Sequence, residues 1–196
     1  MLFAKELGLR TQVGTNATRF PVDFEKWNFV DRWVIPVDGV SSEIHNNMRS
    51  FQNRHLQIIR ETLEKLKKAG CSTTISTVVT KVNRQEVTAI GEYLRNLQGS
   101  ENKCIHAWHL YKFLPFGRGG KLHQAELEMP DTEYEKVVRE VREQKLPFHV
   151  FKRKDMLLSK TVEFYWVEAG QMMAQSRAQG TRALPLEKNE QSHGNL

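Results

Sequence analysis

The spacing of apolar residues changes period several times along the chain. Leu56, Ile59, Leu63 and Leu66 fall three and four apart, so they share one face of a helix, which Gly70 closes. Residues 72–79, STTISTVV, are rich in β-branched side chains and predict a strand. Asn83 and Glu86 have the spacing of an N-cap and its N3 partner, opening a helix through Val87, Ile90, Leu94 and Leu97. Residues 106–114 predict another strand, ended by Pro115 and a glycine-rich loop, FGRGGK. A further helix starts at Asp131 and carries Tyr134, Val137, Val138 and Val141; residues 148–151 and 156–167 then predict strands.

The N-terminal third follows the same alternation. Residues 1–10, MLFAKELGLR, look like the last turns of an amphipathic helix closed by Gly8. Residues 10–16 predict a short strand, 21–28 a loop or helical turn, and 32–37, RWVIPV, a buried strand. That strand leaves through residues 37–49, VDGVSSEIHNNMR, a polar stretch expected to be a loop crowded with hydrogen-bonding groups. Strands alternating with helices of this length imply βαβ units and a parallel sheet, whose ligands gather in the loops at the C-terminal ends of the strands. Residues 37–49, Gly14-Thr15-Asn16, 77–83 and 115–119 all lie at that edge. Beyond about Ala174 the periodicity is lost among Gln, Ser, Gly and Asn. The expected organisation is therefore an α/β domain over 1–173 and a disordered polar tail over 174–196.

Composition narrows this little. At 196 residues the chain is long enough for one ordinary core. No apolar run approaches the ~20 residues of a membrane span, no signal peptide is visible, and two cysteines make no disulfide framework, so a cytoplasmic protein is expected. A net charge of +6 raises the possibility of nucleic acid. The basic residues, however, are spread over helix faces such as Arg60, Lys65, Lys67 and Lys68, where a solvated surface explains them, and nucleic acid is not expected. His106 and His109 flank Trp108 with no carboxylate or cysteine at ligand spacing, so no metal site is expected there.

The loop residues, taken in order, resemble the C-terminal half of a radical S-adenosylmethionine (radical SAM) enzyme, in the branch with molybdenum-cofactor, peptide-maturation and viperin-like members. The resemblance rests on Thr15-Asn16, Asp38-Gly39, His45-Asn46-x-x-Arg49, Gly70, Thr77-Val78, Asn83-x-x-Glu86 and the later PFGRGG, and it covers roughly residues 1–170. It implies a partial (β/α) barrel of parallel strands with outer helices, truncated at its N-terminus. It also implies S-adenosylmethionine contacts from Thr15, Asn16, Asp38, Arg49 and Thr77, and a substrate contact from Arg118. Arg49 suits a carboxylate, which a guanidinium can bind with two parallel bonds. His45 is expected to organise its loop.

The resemblance is incomplete. The CxxxCxxC that holds the family's [4Fe-4S] cluster is absent, and Cys71 and Cys104 cannot replace three thiolates. The cluster is thus expected on a separate N-terminal half, and the chain alone is expected to be inactive in reductive cleavage. Pro36 stands where the family usually has Ser, which removes a hydroxyl and a backbone donor. Thr74 and Ser76 cannot supply the lysine charge that holds nucleotide triphosphate in viperin-like members. The substrate is not legible. The alternative is a non-catalytic basic α/β module that binds nucleic acid or a partner protein.

Overall fold

A computed structural model describes residues 1–49, 54–99, 103–115, 117–154, 164–176 and 180–183. They fall into two compact units, Met1–Lys154 and Asp155–Leu196. The boundary lies ahead of the expected one at 173. In the second unit, β6 (Phe164–Glu168), β7 (Gln171–Ser176) and β8 (Gly180–Ala183) pair antiparallel in that order. Ala169 and Gly170 both have positive φ (49° and 78°), the tight turn that lets two strands pair at once. Part of the stretch expected as a polar tail is therefore strand; residues 177–179 and 184–196 lie outside the described residues, as do 156–163 of the expected strand 156–167.

The first unit is built on five strands: β1 (Gln12–Gly14), β2 (Arg32–Pro36), β3 (Thr73–Val79), β4 (Ile105–Lys112) and β5 (His149–Arg153). They lie in sequence order and every pair is parallel. Around them run α1 (Leu2–Glu6), α2 (Ser42–Arg49), α3 (His55–Lys68), α4 (Val87–Gln98), the short α5 (Gly117–Leu122) and α6 (Gln124–Leu127), and α7 (Asp131–Glu143). The fold is the parallel α/β arrangement of a partial barrel, with β1 at one edge.

Alternation along the strands separates two faces. Trp33, Ile35, Ile75, Val79, Trp108 and Leu110 are buried against Ile59, Leu63 and Leu66 of α3, Ile90 and Leu94 of α4, and Val138 and Val141 of α7. Burying each large apolar side chain contributes about 1.5–3 kcal/mol, so this helix-covered face holds most of the core. The other face carries Gly14, Val34, Pro36, Thr74, Ser76, Val78, His109, Tyr111, Phe151 and Arg153. The strand pairing sets them in cross-sheet rows, one of which runs Pro36, Ser76, His109, Phe151.

Three local expectations change. Residues 42–49 form helix α2 where a polar loop was expected. Ser41 Oγ accepts from the Ile44 N–H and so caps it. Its buried side is made by a polar residue, His45, which hides the period from a reading of apolar spacing. The glycine-rich stretch holds α5. Asn83 does not cap α4, which begins at Val87; its side chain binds the Thr80 backbone and hydroxyl instead.

The assignment of faces is tested by two deletions of similar chemistry. Ile75→Ala is expected to lower stability to urea by about 2–5 kcal/mol, whereas Val34→Ala, on the open face, should cost less than about 1.5 kcal/mol. Equal losses would contradict it.

Candidate functional site

The end of β2 is organised around Asp38. Its side chain is 1% exposed, and its polar groups are satisfied by residues of α2, β3 and the loop before α4. One carboxylate oxygen accepts from the Val78 N–H at 2.9 Å; the other accepts from Arg49 Nε and also meets Arg49 Nη2, each at 2.5 Å. Its backbone N–H donates to His45 Nδ1 (3.1 Å), and its carbonyl accepts from Asn83 Nδ2 (2.9 Å). Burial pushes the Asp38 carboxyl up, with the Arg49 charge and the Val78 N–H pulling the other way. Removing one partner of such a buried pair typically costs about 3–5 kcal/mol, so Asp38 and Arg49 hold each other in place.

From Asp38 a hydrogen-bond chain runs through two imidazoles. His45 Nδ1 faces a backbone N–H and must accept, so its Nε2 carries the proton and donates to His55 Nδ1 at 2.8 Å. His55 Nε2 then donates to the Asn16 carbonyl, also at 2.8 Å. The two rings are stacked with centroids 5.0 Å apart. The chain joins the loop after β1 to the loop after β2. Burial first, then the neighbouring His55 and Arg49, lowers the His45 pKa from 6.5 to about 3.

Two further clamps fix the turn. Glu86 Oε2 accepts from the Val40 and Ser41 N–H groups at 2.8 and 3.2 Å, and Arg60 Nη2 donates to the Val40 carbonyl. A Cβ on Gly39 would sit 2.7 Å from that same Glu86 oxygen and 3.0 Å from the His45 nitrogen, which explains the glycine after Asp38. Thr77 donates its hydroxyl proton to the Val37 carbonyl and accepts from Trp108 Nε1 at 2.9 Å.

In front of this frame lies an open cleft of about 260 Å³, lined by Gly14, Thr15, Asn16, Val34, Pro36, Arg49 and Ser76. Thr15, Asn16 and Arg49 of the sequence-derived set meet there. Thr15 Oγ1 accepts from the Ala17 N–H, and Ala17 takes a positive φ of 60°, so the turn at the head of the cleft is held locally. Arg49 reaches the cleft 28% exposed, anchored from behind by Asp38. Asp38 is buried behind Arg49, and Thr77 is buried on the helix-covered face of β3, so neither side chain lines the cleft. Arg118 stands on the backbone of α5; its side chain lies outside what the structure describes.

Larger hollows lie elsewhere, among them one of about 370 Å³ along α7 beside Glu135, Arg139 and Arg142. Another of about 400 Å³ is lined by Arg84, Gln85, Glu133, Lys136, Val137 and Glu140; a third of about 530 Å³ lies beside His106, Phe148 and His149. None of these has polar groups held in register from several strand ends, so the smaller cleft is the better candidate. Sequence reasoning missed His55 and the bracing role of Glu86. Nothing in the spacing of His45 and His55 on successive helices signals that their rings meet.

Among the described residues, no group of three or more His, Cys, Asp or Glu is arranged to hold a metal ion. Cys71 and Cys104 precede β3 and β4, at the opposite ends of those strands from the cleft, and burial pushes both thiols up. They do not fit an iron–sulfur cluster, whose ligands are thiolates. No helix among the described residues is long and apolar enough to cross a membrane.

No family model matches the chain. Two curated proteins do. An AdoMet-dependent heme synthase of Methanosarcina barkeri is 28% identical over 139 residues, covering 69% of this chain and 37% of its own length. One of Oleidesulfovibrio alaskensis is 32% identical over 124 residues, covering 61% and 30%. The chain thus spans about a third of the relatives it matches. Similar solved structures include a domain of pyruvate-formate lyase-activating enzyme from Bacteroides vulgatus (TM-score 0.55, 12% identity, 76% of this chain and 83% of that one). Streptococcus suis SuiB bound to S-adenosylmethionine (TM-score 0.54, 12% identity) covers 83% of this chain and 37% of its own. SuiB bound to its precursor peptide SuiA has a TM-score of 0.56 at 12% identity, over 83% and 38%. At that identity these structures speak for the fold.

The imidazole chain has a pH signature. An unfolded His45 takes up a proton near 6.5, whereas the folded ring does so only near 3. Stability from this group is therefore complete above about pH 6.5 and is lost as the pH falls toward 3. Urea unfolding from about pH 7 down to pH 4.5 should show this loss in the wild type, and a shallower loss in His45→Gln. Identical slopes would contradict the buried, neutral ring.

Proposed function

The chain is part of a radical SAM protein, and we propose that it supplies one side of the S-adenosylmethionine site, in the cleft between Thr15-Asn16 and Arg49. One observation carries the reading. Arg49 is held by Asp38 through one edge of its guanidinium and still reaches an open cleft at the C-terminal ends of parallel strands. Its remaining donors suit the carboxylate of S-adenosylmethionine, bound as a charge-assisted pair. Thr15 and Asn16 offer backbone and hydroxyl groups to the ribose or adenine, and Pro36 and Val34 form the apolar floor. Asp38 and Thr77 act as positioning residues, one for Arg49 and one for the β2–β3 loop ends. The names of the curated relatives, AdoMet-dependent enzymes, favour this cofactor.

In this superfamily S-adenosylmethionine is the source of a hydrogen-abstracting radical, released when a [4Fe-4S] cluster reduces it. The cluster thiolates belong, on this reading, to another segment or a separate chain, because Cys71 and Cys104 are too few and wrongly placed. This chain's share is to bind and orient the cofactor and to form part of the substrate wall. Arg118, on α5 after the end of β4, is the proposed substrate contact.

A basic module for nucleic acid or a partner protein gains no support from the charge distribution. Lys5, Arg84, Lys112, Lys136, Lys152 and Lys154 each meet a carboxylate, which leaves less unpaired charge than the sequence suggests. Binding of S-adenosylmethionine, measured by calorimetry on the wild type and on Arg49→Gln, tests the proposal. The variant should bind at least about tenfold more weakly, the loss expected for one charge-assisted pair. Equal affinity would remove Arg49 from the site.

A further inference from the structure

The open face of the sheet does not end at the cleft. Ser76, on its wall, is paired in register with His109, and His109 with Phe151; one row toward the strand ends, Val78 pairs with Tyr111, and Tyr111 with Arg153. Because side chains two apart share a face, His109, Tyr111, Phe151 and Arg153 form one patch beside the cleft. Adjacent strands are about 4.8 Å apart, so the patch starts one strand from Ser76 and ends two strands away.

The patch is built rather than incidental. His109 Nδ1 meets the Tyr111 hydroxyl at 3.3 Å, and the His109 ring stands edge-on to Phe151 with centroids 5.2 Å apart. The Arg153 guanidinium lies over the Phe151 ring at 5.2 Å. Phe151 is 39% exposed on the edge strand β5, so its ring is open to a ligand. Arg153 is the anomaly. Its Nε is buried without any hydrogen-bond partner, and among the described residues no carboxylate pairs with its guanidinium. The lysines nearest in sequence, Lys152 and Lys154, are paired with Glu135 and Asp131. An ionic donor left unsatisfied in a packed setting asks for a partner that arrives from outside.

We infer that this patch is a substrate subsite for an organic monocarboxylate carried on a flat, apolar body, with Arg153 taking the carboxylate and Phe151 and His109 the body. The inference rests on the reading of the neighbouring cleft as the cofactor site, and extends it to the substrate class. A single planar fork matches one carboxylate with two parallel bonds. The His109 pKa is lowered to about 4, by burial first and Arg153 next, so the ring adds no second charge near neutrality. One positive charge among aromatic rings does not suit a polyphosphate. The Tyr111 hydroxyl and His109 give the body two polar contacts that select its orientation.

The test is an NMR titration of the 196-residue chain with three probes: 2-naphthoate, its neutral amide, and inorganic phosphate. Naphthoate should shift the ring signals of His109, Tyr111 and Phe151, with the amide and phosphate each at least about tenfold weaker. Arg153→Gln should bring naphthoate down to the affinity of the amide, and Phe151→Leu should weaken naphthoate and amide alike. An amide that binds as well as naphthoate, a phosphate that does so, or shifts confined to other residues would overturn the subsite. S-adenosylhomocysteine added to the same sample reports at Gly14, Thr15 and Arg49. A lost response there, with naphthoate binding intact, would count against the cofactor cleft and leave the patch standing.

Discussion

A chain of four hydrogen-bonding groups, Asp38 N–H, His45, His55 and the Asn16 carbonyl, ties the loop after β1 to the loop after β2. The placing of the β1 and β2 ends against each other depends on it. Each ring must accept on one side and donate on the other, so the backbone donor at one end and the backbone acceptor at the other fix the direction of the whole chain. Burial first, then the neighbouring His55 and Arg49, keeps the His45 ring neutral, and a proton added to its Nδ1 would face the Asp38 N–H, donor against donor. The same residue, Asp38, then turns its side chain to Arg49, so loop position and guanidinium position are set together. A site assembled this way is preorganised by the apo fold, with little left to order on binding.

The division of labour between the two sheet faces makes that possible. The helix-covered face provides cohesion through Ile35, Ile75, Trp108 and their helix partners, and Thr77 is part of it through its bonds to Val37 and Trp108. The open face is relieved of that task. It can carry glycine at Gly14, a proline at Pro36, polar residues at Thr74 and Ser76, and the aromatic and cationic patch of β4 and β5. Pro36, which has no N–H, leads directly into the turn braced by Glu86, Asn83 and Arg60.

The order and type of the main elements were legible in the sequence because the helices have clean three–four periods and the strands are β-branched. Helix α2 was not, since its buried face is His45 rather than an aliphatic residue. Asn83 and Glu86 have the spacing of a capping box, but Glu86 serves the Val40–Ser41 turn, and Asn83 binds Thr80 and reaches the distant Asp38 carbonyl, a long-range use that local spacing cannot reveal. Thr15, Asn16 and Arg49 were named as site residues by the order of loop motifs, and they do line one cleft. Asp38 and Thr77 were named on the same grounds and stand behind it. The patch of His109, Tyr111, Phe151 and Arg153 was invisible, because strand register, not sequence distance, brings β4 and β5 together.

The central claim is that the braced ends of β1 and β2 form a cofactor cleft. Hydrogen–deuterium exchange with and without S-adenosylmethionine tests it most directly, since it reads backbone protection segment by segment. The account predicts added protection in residues 14–18 and 37–49, with α4 and α7 unchanged. Protection confined to the helix surfaces around Arg84 and Glu133, or none at saturating cofactor, would contradict it.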